Sequence, residues 1–291
     1  MRYRILALAL IGVALGGCSE GVLDPKGPIA SAERLILFNS LGIMLGIVIP
    51  TILATLGVAF WFRSSNWRAN YQPDFAYSGR LELLVWSIPA MTVLLVGGVA
   101  WVGAHDLDPH KAINSTVKPV TIQVASLDWK WLFIYPEQGI ASVNRLTVPV
   151  GTPISFELTS STVMNSFFVP QLAGQIYTMS GMVTRLQLQA DSPGTYPGLS
   201  AMFSGDGFAD MRFTLDAVSN DRFAQWVSQA RDTGPVLDAR SFADLAKPSK
   251  AVAPFTYRAV AADLFNDIVS TKSVTDDSSQ PICSTSQRAE K

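Results

Sequence analysis

Two long apolar stretches dominate the hydrophobic pattern in the first third of the chain. They cover residues 35–62 and 81–104, and each exceeds the roughly 20 apolar residues that a helix needs to cross a bilayer. We therefore predict a two-helix transmembrane hairpin over residues 35–104. Pro50 and Pro89 lie inside these helices, where proline favours a kink. Two buried helices of a soluble protein would need neither this length nor this apolarity.

The segment between the predicted helices, residues 63–80, indicates how the hairpin lies in the membrane. It carries Arg63, Arg68 and Arg80 against a single acidic residue, Asp74. Basic residues accumulate in loops on the cytoplasmic side, so we predict that this loop is cytoplasmic. Both ends of the chain then lie outside, across the membrane.

Residues 118–218 show a different pattern of short alternating segments separated by turn residues. The predicted strands are 121–126, 129–135, 145–150, 153–160, 166–169, 183–190, 194–199 and 211–217. Many short strands without intervening helices are typical of a β-sandwich or a Greek-key barrel. We therefore predict an all-β domain outside the membrane.

Two of these segments alternate most clearly. Four aromatic residues are expected to share one face of the second strand: Trp129, Trp131, Phe133 and Tyr135. Four apolar residues are expected to share one face of the last strand: Met211, Phe213, Leu215 and Ala217. Successive side chains of a strand point to opposite faces, so we expect both sets to pack into a core.

Residues 219–291 are predicted to form a short helical C-terminal extension with a disordered tail. One helix face is formed by Phe223, Trp226, Val227 and Ala230. Residues 241–246 and 261–268 fit two further short helices. The chain is polar from Ser270 onward, which favours disorder at its end.

The first 17 residues are predicted to be a signal peptide, because a basic start precedes an apolar core too short to span a bilayer. The segment ends in Leu15-Gly16-Gly17-Cys18, which resembles the lipobox of bacterial lipoproteins. Cys18 is therefore the predicted lipidation site, and an ordinary cysteine after an ordinary signal is the alternative. A diacylglyceryl group would anchor the chain firmly. Residues 18–34 are predicted to be a linker.

The composition agrees with a membrane protein and excludes several function classes. Only 15% of the residues are charged, and the mean hydropathy is +0.26. The net charge of −1 does not indicate nucleic acid or another polyanionic partner. Cys18 and Cys283 lie at opposite ends and do not indicate a disulfide framework. His105 and His110 are too few for a histidine-rich metal site, and we expect them to be loop or interfacial residues.

The candidate chemistry lies in Pro197–Met211, a glycine-rich loop before the last predicted strand. Its glycines would let the backbone wrap closely around an ion. Its side chains do not form a ligand set, because Ser200 and Ser204 carry neutral hydroxyls and Phe208 has no donor atom. Met211 is a soft ligand, but a soft metal needs thiolates or imidazoles beside it. The residues therefore predict a metal-binding type of loop without its ligands.

This loop resembles that of subunit II of the haem–copper oxidases. In the cytochrome c oxidase branch the loop reads G-x-C-x-E-x-C-G-x-x-H-x-x-M and is preceded by H-S-F-W-V-P, which Asn165–Pro170 matches as N-S-F-F-V-P. The ligand positions are occupied here by Asn165, Ser200, Met202, Ser204 and Phe208. Only Met211 matches a ligand. The resemblance also covers Leu127–Gly139, the two predicted spans and the lipoprotein start.

A retained scaffold with lost ligands is similar to the quinol-oxidising branch, the cytochrome bo-type ubiquinol oxidases. The resemblance implies a cupredoxin-like Greek-key barrel at residues 118–218 that binds no metal or cofactor. It implies a haem-containing large subunit I and other membrane subunits as partners, in a bacterial inner membrane. Haems, a copper ion and ubiquinol are expected in the large subunit. The complex would be a proton-pumping oxidase that reduces O2 to water, with neither cytochrome c nor nucleic acid as a partner.

Glu82, at the cytoplasmic end of the second predicted span, has two interpretations. A solvated acid at a helix start is favoured by the helix dipole. The resemblance implies instead a position near the entrance of a proton path into the neighbouring subunit. It also places an aromatic residue of the Trp129–Tyr135 set on an electron-entry route in the cytochrome c branch. Without a copper acceptor, we expect that set to serve packing and contact with the large subunit.

Three alternatives stay open at this point. A copper electron carrier, such as subunit II of a cytochrome c oxidase, would bind copper stoichiometrically. A free-standing anchored lipoprotein with a binding barrel would purify without a haem-containing subunit. An unrelated sandwich with a glycine-rich loop would share only the strand pattern.

Overall fold

The computed structural model describes residues 21–70 and 73–275, with side chains up to residue 270. The predicted signal peptide, the predicted lipidation site Cys18 and the distal Cys283 lie outside the described residues. The described chain folds as two compact units. One consists of residues 32–108, and the other combines residues 21–31 with 109–275.

Two long helices account for most of residues 32–108: α1 (Pro28–Trp61) and α2 (Gly79–Asp106). Within the described ranges, these are the two helices that are long and apolar enough to cross a membrane. They approach closely at Gly103, where an added Cβ would lie 2.6 Å from Ile36 Cδ1. The hydroxyl of Thr51 donates to Ile47 O in its own helix, so this polar group is satisfied without a partner. The predicted helical hairpin is confirmed.

Helix α1 begins at Pro28, inside the segment 18–34 for which the sequence predicts a linker. Proline is favoured at the first helical position because its fixed φ suits the helix and its missing N–H is not needed there. The residues around the start of the helix pack on the barrel. The Lys26 N–H donates to Gln171 O at 2.7 Å, and Ala30 is 2% exposed.

The second unit contains the strands, whose bounds follow in chain order. They are β1 (Val120–Leu127), β2 (Lys130–Tyr135), β3 (Ile140–Val143), β4 (Arg145–Pro149), β5 (Ile154–Ser160), β6 (Asn165–Phe168), β7 (Ile176–Thr178), β8 (Thr184–Leu188), β9 (Gly194–Ser200), β10 (Arg212–Val218), β11 (Val236–Leu237), β12 (Phe255–Tyr257) and β13 (Ala259–Val260). Strands β3, β7, β11, β12 and β13 were not predicted, because each has four residues or fewer and shows no clear alternation.

Two larger sheets enclose the main core. One has the order β12-β3-β2-β1-β5-β8 and the other β4-β10-β9-β6-β7, while β11 and β13 form a small pair. Most neighbours are antiparallel, but β1 pairs with β5 in parallel and β4 pairs with β10 in parallel. Parallel neighbours that are distant in sequence require connections that cross between sheets, which is how a Greek-key arrangement forms.

The core contains the two alternating sets. Trp131, Phe133 and Tyr135 are fully buried, and Phe167 and Phe213 stack at 5.0 Å between ring centroids. Burying one such side chain contributes about 1.5–3 kcal/mol, so these rings dominate the stability of the barrel. The predicted inward face of β2 is confirmed for these three residues, as is that of β10 for Phe213.

Trp129 departs from the predicted alternation. Leu127 pairs with Lys130 across a two-residue turn, and Trp129 is the second residue of that turn with φ 64°. The hairpin reverses direction at this point, so the side chain no longer follows the face set by Trp131.

The C-terminal extension packs on two parts of the barrel: its first helix joins the main core, and the rest covers the outer face of the six-stranded sheet. Its helices are α3 (Asn220–Asp232), α4 (Ala239–Leu245) and α5 (Leu264–Thr275). Tyr257, Leu264, Phe265 and Ile268 form a second buried cluster with the outer residues of β1, β2 and β3, such as Leu132. Helix α5 continues past Ser270, where the sequence predicts a polar tail.

Candidate functional site

The candidate site lies at one end of the barrel, where the loop 201–211 joins β9 to β10. Strand β6 runs beside β9 with Phe167 opposite Ser200, which brings Asn165 to the base of this loop. A short 3-10 turn, Phe208–Asp210, leads back to β10. The sheet register therefore gathers the positions that the sequence singled out at this end of the barrel.

The side chains at these positions bond to one another in pairs. The Ser200 hydroxyl donates to Asn165 Oδ1 at 3.1 Å, and the two residues are 2% and 1% exposed. The Asn165 amide nitrogen donates to Val163 O at 3.2 Å. The Ser204 hydroxyl lies 3.9 Å from Met211 Sδ, a weak hydrogen bond. Four of the six predicted positions thus satisfy each other within the protein.

The two remaining positions do not join this network through side-chain donors. Phe208 packs edge-on against Phe203, with ring centroids 5.6 Å apart. Met202 contributes its backbone oxygen, which accepts from the Ser200 hydroxyl at 3.2 Å. Hydroxyl, amide and thioether groups carry no charge, so this set lacks the thiolates and imidazoles that hold a soft metal. Among residues 21–70 and 73–275, there is no cluster of three or more His, Cys, Asp or Glu residues.

The glycines of the loop are explained by packing. Gly207 lies so close to the ring of Trp129 that an added Cβ would overlap Cγ and Cδ2, and a Cβ at Gly205 would lie 3.4 Å from Trp129 Cζ2. The Trp129 indole N–H donates to Ser204 O at 3.0 Å. The loop therefore rests on Trp129, and the glycines permit that approach.

A group of buried hydroxyls lies beneath the loop. The Ser126 and Thr178 hydroxyls are 2.8 Å apart, and Thr159 Oγ1 donates to Met179 O at 3.2 Å. Within the described part of the chain, the buried hydroxyl oxygens of Ser161 and Ser180 have no hydrogen-bond partner. The interior at this end of the barrel is therefore partly polar, and several of its contacts are hydrogen bonds rather than apolar packing.

Glu82 lies in the first turn of α2, where its side chain is exposed. Its backbone N–H donates to Ser78 O at 2.9 Å. Both interpretations of this residue, a solvated helix-start acid and a proton-path entrance, fit that position.

His105 bonds within its own helix through Nδ1, which lies 2.9 Å from Trp101 O. Its ring also packs on the Trp101 ring at 4.5 Å. His105 therefore lies at the end of α2 and not in a loop, and its expected interfacial role stays a prediction.

The sequence pattern assigns no role to two buried polar groups, the hydroxyl of Tyr135 and the ammonium of Lys130. The Tyr135 hydroxyl accepts from Thr147 N–H at 2.9 Å and donates to Thr147 O at 3.0 Å. Burial raises the pKa of Tyr135 well above its usual value. Lys130 is 1% exposed, and burial lowers its pKa against the opposing attraction of Asp128. The sequence does not reveal the burial of either polar group, because both residues lie in segments with an ordinary strand pattern.

Comparison with known proteins covers both parts of the barrel unit. Residues 135–218 match the family "Cytochrome C oxidase subunit II, periplasmic domain", and residues 231–271 match the "COX Aromatic Rich Motif". The first match supports the cupredoxin-like class predicted for the barrel, and the short C-terminal helix is also present, so the predicted fold class is confirmed.

Similar proteins include the cytochrome bo(3) ubiquinol oxidase subunit 2 of Pseudomonas aeruginosa, which is 44% identical over 92% of this chain and 80% of that protein. The ubiquinol oxidase subunit 2 of Acetobacter aceti is 44% identical over 92% of this chain and 90% of that protein. Among solved structures, the periplasmic domain of subunit II of cytochrome oxidase of Bradyrhizobium japonicum aligns with a TM-score of 0.39 and 23% identity. That alignment covers 42% of this chain and 98% of the other.

Proposed function

The chain belongs to the family of quinol oxidase subunit II, and from this premise we propose that it is the non-copper subunit II of a proton-pumping ubiquinol oxidase. The complex reduces O2 to water in aerobic respiration. The proposal that this chain binds no copper is supported by the pairing of Asn165 with Ser200 and of Ser204 with Met211. Neutral groups occupy the ligand positions and use their hydrogen-bonding capacity on each other.

The route of the electrons follows from this chemistry. A dinuclear copper site accepts single electrons from a soluble cytochrome, and without thiolates and imidazoles the barrel offers no such relay. Ubiquinol dissolves in the bilayer and delivers electrons directly to the large subunit. The haems, the copper ion and the ubiquinol site then belong to that subunit, and this chain holds no catalytic centre and receives no electrons from cytochrome c.

The role of the barrel is assembly, supported by an apolar surface at the loop end. Phe203 is 74% exposed at the tip of the loop 201–211. Val163, Met164 and Met182, in the neighbouring loops, are 48%, 37% and 53% exposed. The loops lie near one another, since Ser160 N–H donates to Met179 O at 3.3 Å and Ala201 N–H donates to Ser166 O at 2.9 Å. Exposed apolar patches of this kind mark protein interfaces, and the haem-containing large subunit I is the proposed partner.

The proposed location is the bacterial inner membrane. Helices α1 and α2 cross the bilayer, the arginine-bearing loop 63–80 is cytoplasmic, and the barrel lies in the periplasm with the N-terminus. A lipid on Cys18 would add a tether on the same side of the membrane. We expect other membrane subunits of the oxidase to contact this chain and no nucleic acid to bind it.

Glu82 is proposed to lie at the entrance of a proton path into the large subunit. It is exposed in the first turn of α2, next to the loop 63–80 that is proposed to be cytoplasmic. The test is Glu82→Gln in the assembled complex, with Asp74→Asn in the same cytoplasmic loop as the control. Slower proton-coupled turnover in Glu82→Gln alone supports the proposal, and equal turnover in both variants contradicts it.

The decisive experiment is purification of the native complex in mild detergent, followed by metal and haem analysis and by activity with two donors. We expect co-purification with a haem-containing subunit, activity with ubiquinol, and no activity with reduced cytochrome c. Copper content should match the large subunit alone, without a dinuclear pair. Near-infrared absorption of a dinuclear copper centre, or reduction by cytochrome c, would contradict the proposal. Isolation of this chain alone under every condition would contradict the assembly role.

A further inference from the structure

Trp129 has a backbone conformation that its side chain does not favour. It is the second residue of the turn between β1 and β2, and its φ is 64°. Glycine is the usual residue at such a turn position because it has no Cβ to clash. A bulky residue persists there only where its surroundings over-determine it. The surroundings of Trp129 therefore indicate what the residue is for.

One side of the Trp129 ring is held by the loop 201–211. The indole N–H donates to Ser204 O at 3.0 Å, and Gly207 packs against the ring without space for a side chain. Elsewhere the loop is anchored near its start, where Ala201 N–H donates to Ser166 O at 2.9 Å, and by the weak Ser204–Met211 bond. Trp129 is thus the main support of the middle of this loop.

The residue is also held by the C-terminal extension, through the segment 247–250. Lys250 Nζ lies 5.6 Å from the centroid of the Trp129 ring, within the range of a cation–π interaction. The Ser249 N–H donates to Asp128 O, in the same turn, at 3.4 Å. The buried Lys130 ammonium donates to Lys247 O at 2.8 Å and to Asp128 O at 3.2 Å. Lys130 therefore joins the segment to the turn.

We propose that Trp129 is a positioning residue through which the C-terminal extension orders the loop 201–211. The segment 247–250, held by Lys130, keeps Trp129 in its left-handed conformation, and the Trp129 ring fixes Ser204 and Gly207. The extension thereby sets the conformation of a loop that lies between β9 and β10, outside the extension itself. This inference does not depend on the proposed oxidase role, since it concerns only contacts within the chain.

The test is hydrogen–deuterium exchange of the full-length chain in detergent, read peptide by peptide. Trp129→Gly removes the ring and relieves the backbone. Because the loop 201–211 then loses one hydrogen bond and its packing against the Trp129 ring, its exchange should become about tenfold faster. Lys250→Met keeps the aliphatic stem but loses the charge, and it should speed exchange there by about threefold. Lys250→Arg should keep the protection, because guanidinium also forms cation–π contacts.

Lys247→Met is the matched control. Its ammonium pairs with Asp244 at 2.6 Å, and its backbone oxygen, which Lys130 uses, is unchanged. Faster exchange confined to the loop 201–211 in Lys250→Met, with the control unchanged, supports the proposal. Unchanged loop exchange in Lys250→Met overturns it, as does an equal increase in β1, β2 and β10, because that result would show a loss of global stability only. If Trp129→Gly does not fold, Lys250→Met alone decides.

Discussion

Removing one oxygen atom from the core should cost the barrel more stability than most substitutions at its surface. Within the described residues, strand β4 is an edge strand and β10 is its one strand partner. On its other side, the Tyr135 hydroxyl takes the place of a neighbouring strand by bonding both Thr147 N–H and Thr147 O. Tyr135→Phe keeps the ring, its volume and its edge contact with Trp226 at 5.1 Å. The substitution therefore isolates the hydroxyl.

The magnitude follows from the two backbone groups that lose their partner. Thr147 is 4% exposed and Tyr135 is fully buried, so water does not replace the hydroxyl. A buried group left without a hydrogen bond costs about 1–3 kcal/mol. The substitution leaves two such groups, Thr147 N–H and Thr147 O, but it also removes the cost of burying the phenol hydroxyl. The free energy of unfolding should therefore fall by about 2–4 kcal/mol. For a domain of this size, that corresponds to roughly 5–15 °C in melting temperature.

Two other buried tyrosines provide matched controls. The Tyr196 hydroxyl donates once, to Ser192 O at 2.8 Å, and Tyr196→Phe should cost about 1 kcal/mol. The 5%-exposed Tyr257 has no hydrogen bond from its hydroxyl within the described structure, and Tyr257→Phe should cost less than about 0.5 kcal/mol. Thermal melts of the full-length variants in detergent should rank Tyr135→Phe, Tyr196→Phe and Tyr257→Phe in that order. Equal melting temperatures for all three would refute the reasoning.

The same hydroxyl gives the barrel a dependence on alkaline pH. Burial raises the pKa of Tyr135 in the folded state, whereas the unfolded value is about 10. The folded state then binds the proton more tightly than the unfolded state. This stabilisation is fully present below about pH 10 and is lost as the pH rises above it, by up to about 1.4 kcal/mol per pH unit. Tyr135→Phe should melt with a shallower dependence on pH between pH 10 and 11 than the unsubstituted chain, and an identical dependence would contradict this assignment.

Two further predictions test the segments that flank the barrel in sequence. Gly27→Ala should destabilise the barrel by about 1–3 kcal/mol, because a Cβ would collide with the backbone oxygen of Gln189 and lie 3.1 Å from Leu172 O. Gly42→Ala, at an open position of α1, is its control and should not lower the melting temperature. Truncation after Val218 should cause association in size-exclusion chromatography, because it uncovers the outer face of the six-stranded sheet around Leu132. A monomeric truncated chain with an unchanged melt would contradict this role of the extension.

The parts of the fold that the sequence predicts well are those with a strong local signal. The two apolar helices follow from length and composition, and the inward faces of β2 and β10 follow from strict alternation. The sequence pattern does not predict the short strands, because their pairing is set by residues that are distant in sequence. Strand β12 forms because Phe255 meets Val143 across more than a hundred residues of sequence, and nothing in its own three residues predicts that.

The candidate site shows the same division between local and distant information. The absence of suitable ligands at Asn165, Ser200 and Ser204 is visible in the sequence, because it is a matter of residue type. The bond from Ser200 to Asn165 depends on the register of β6 against β9, which the sequence does not reveal. The prediction for Trp129 is wrong for a related reason: alternation places it on a strand face, but it belongs to the turn, and the strand begins only at Lys130.

A loop that is proposed to hold no metal poses an energetic question that these contacts answer. A bound metal contributes its binding free energy to folding, and a loop without one must be ordered by the protein itself. Each of the replacing contacts is worth only about 0.5–1.5 kcal/mol: the Ser200–Asn165 bond, the Trp129–Ser204 bond and the Lys250–Trp129 contact. Their sum is comparable with the entropy cost of fixing only a few residues. The loop should therefore be the part of the barrel most sensitive to losing any one of them, which is why the extension that supplies Lys250 matters to this loop.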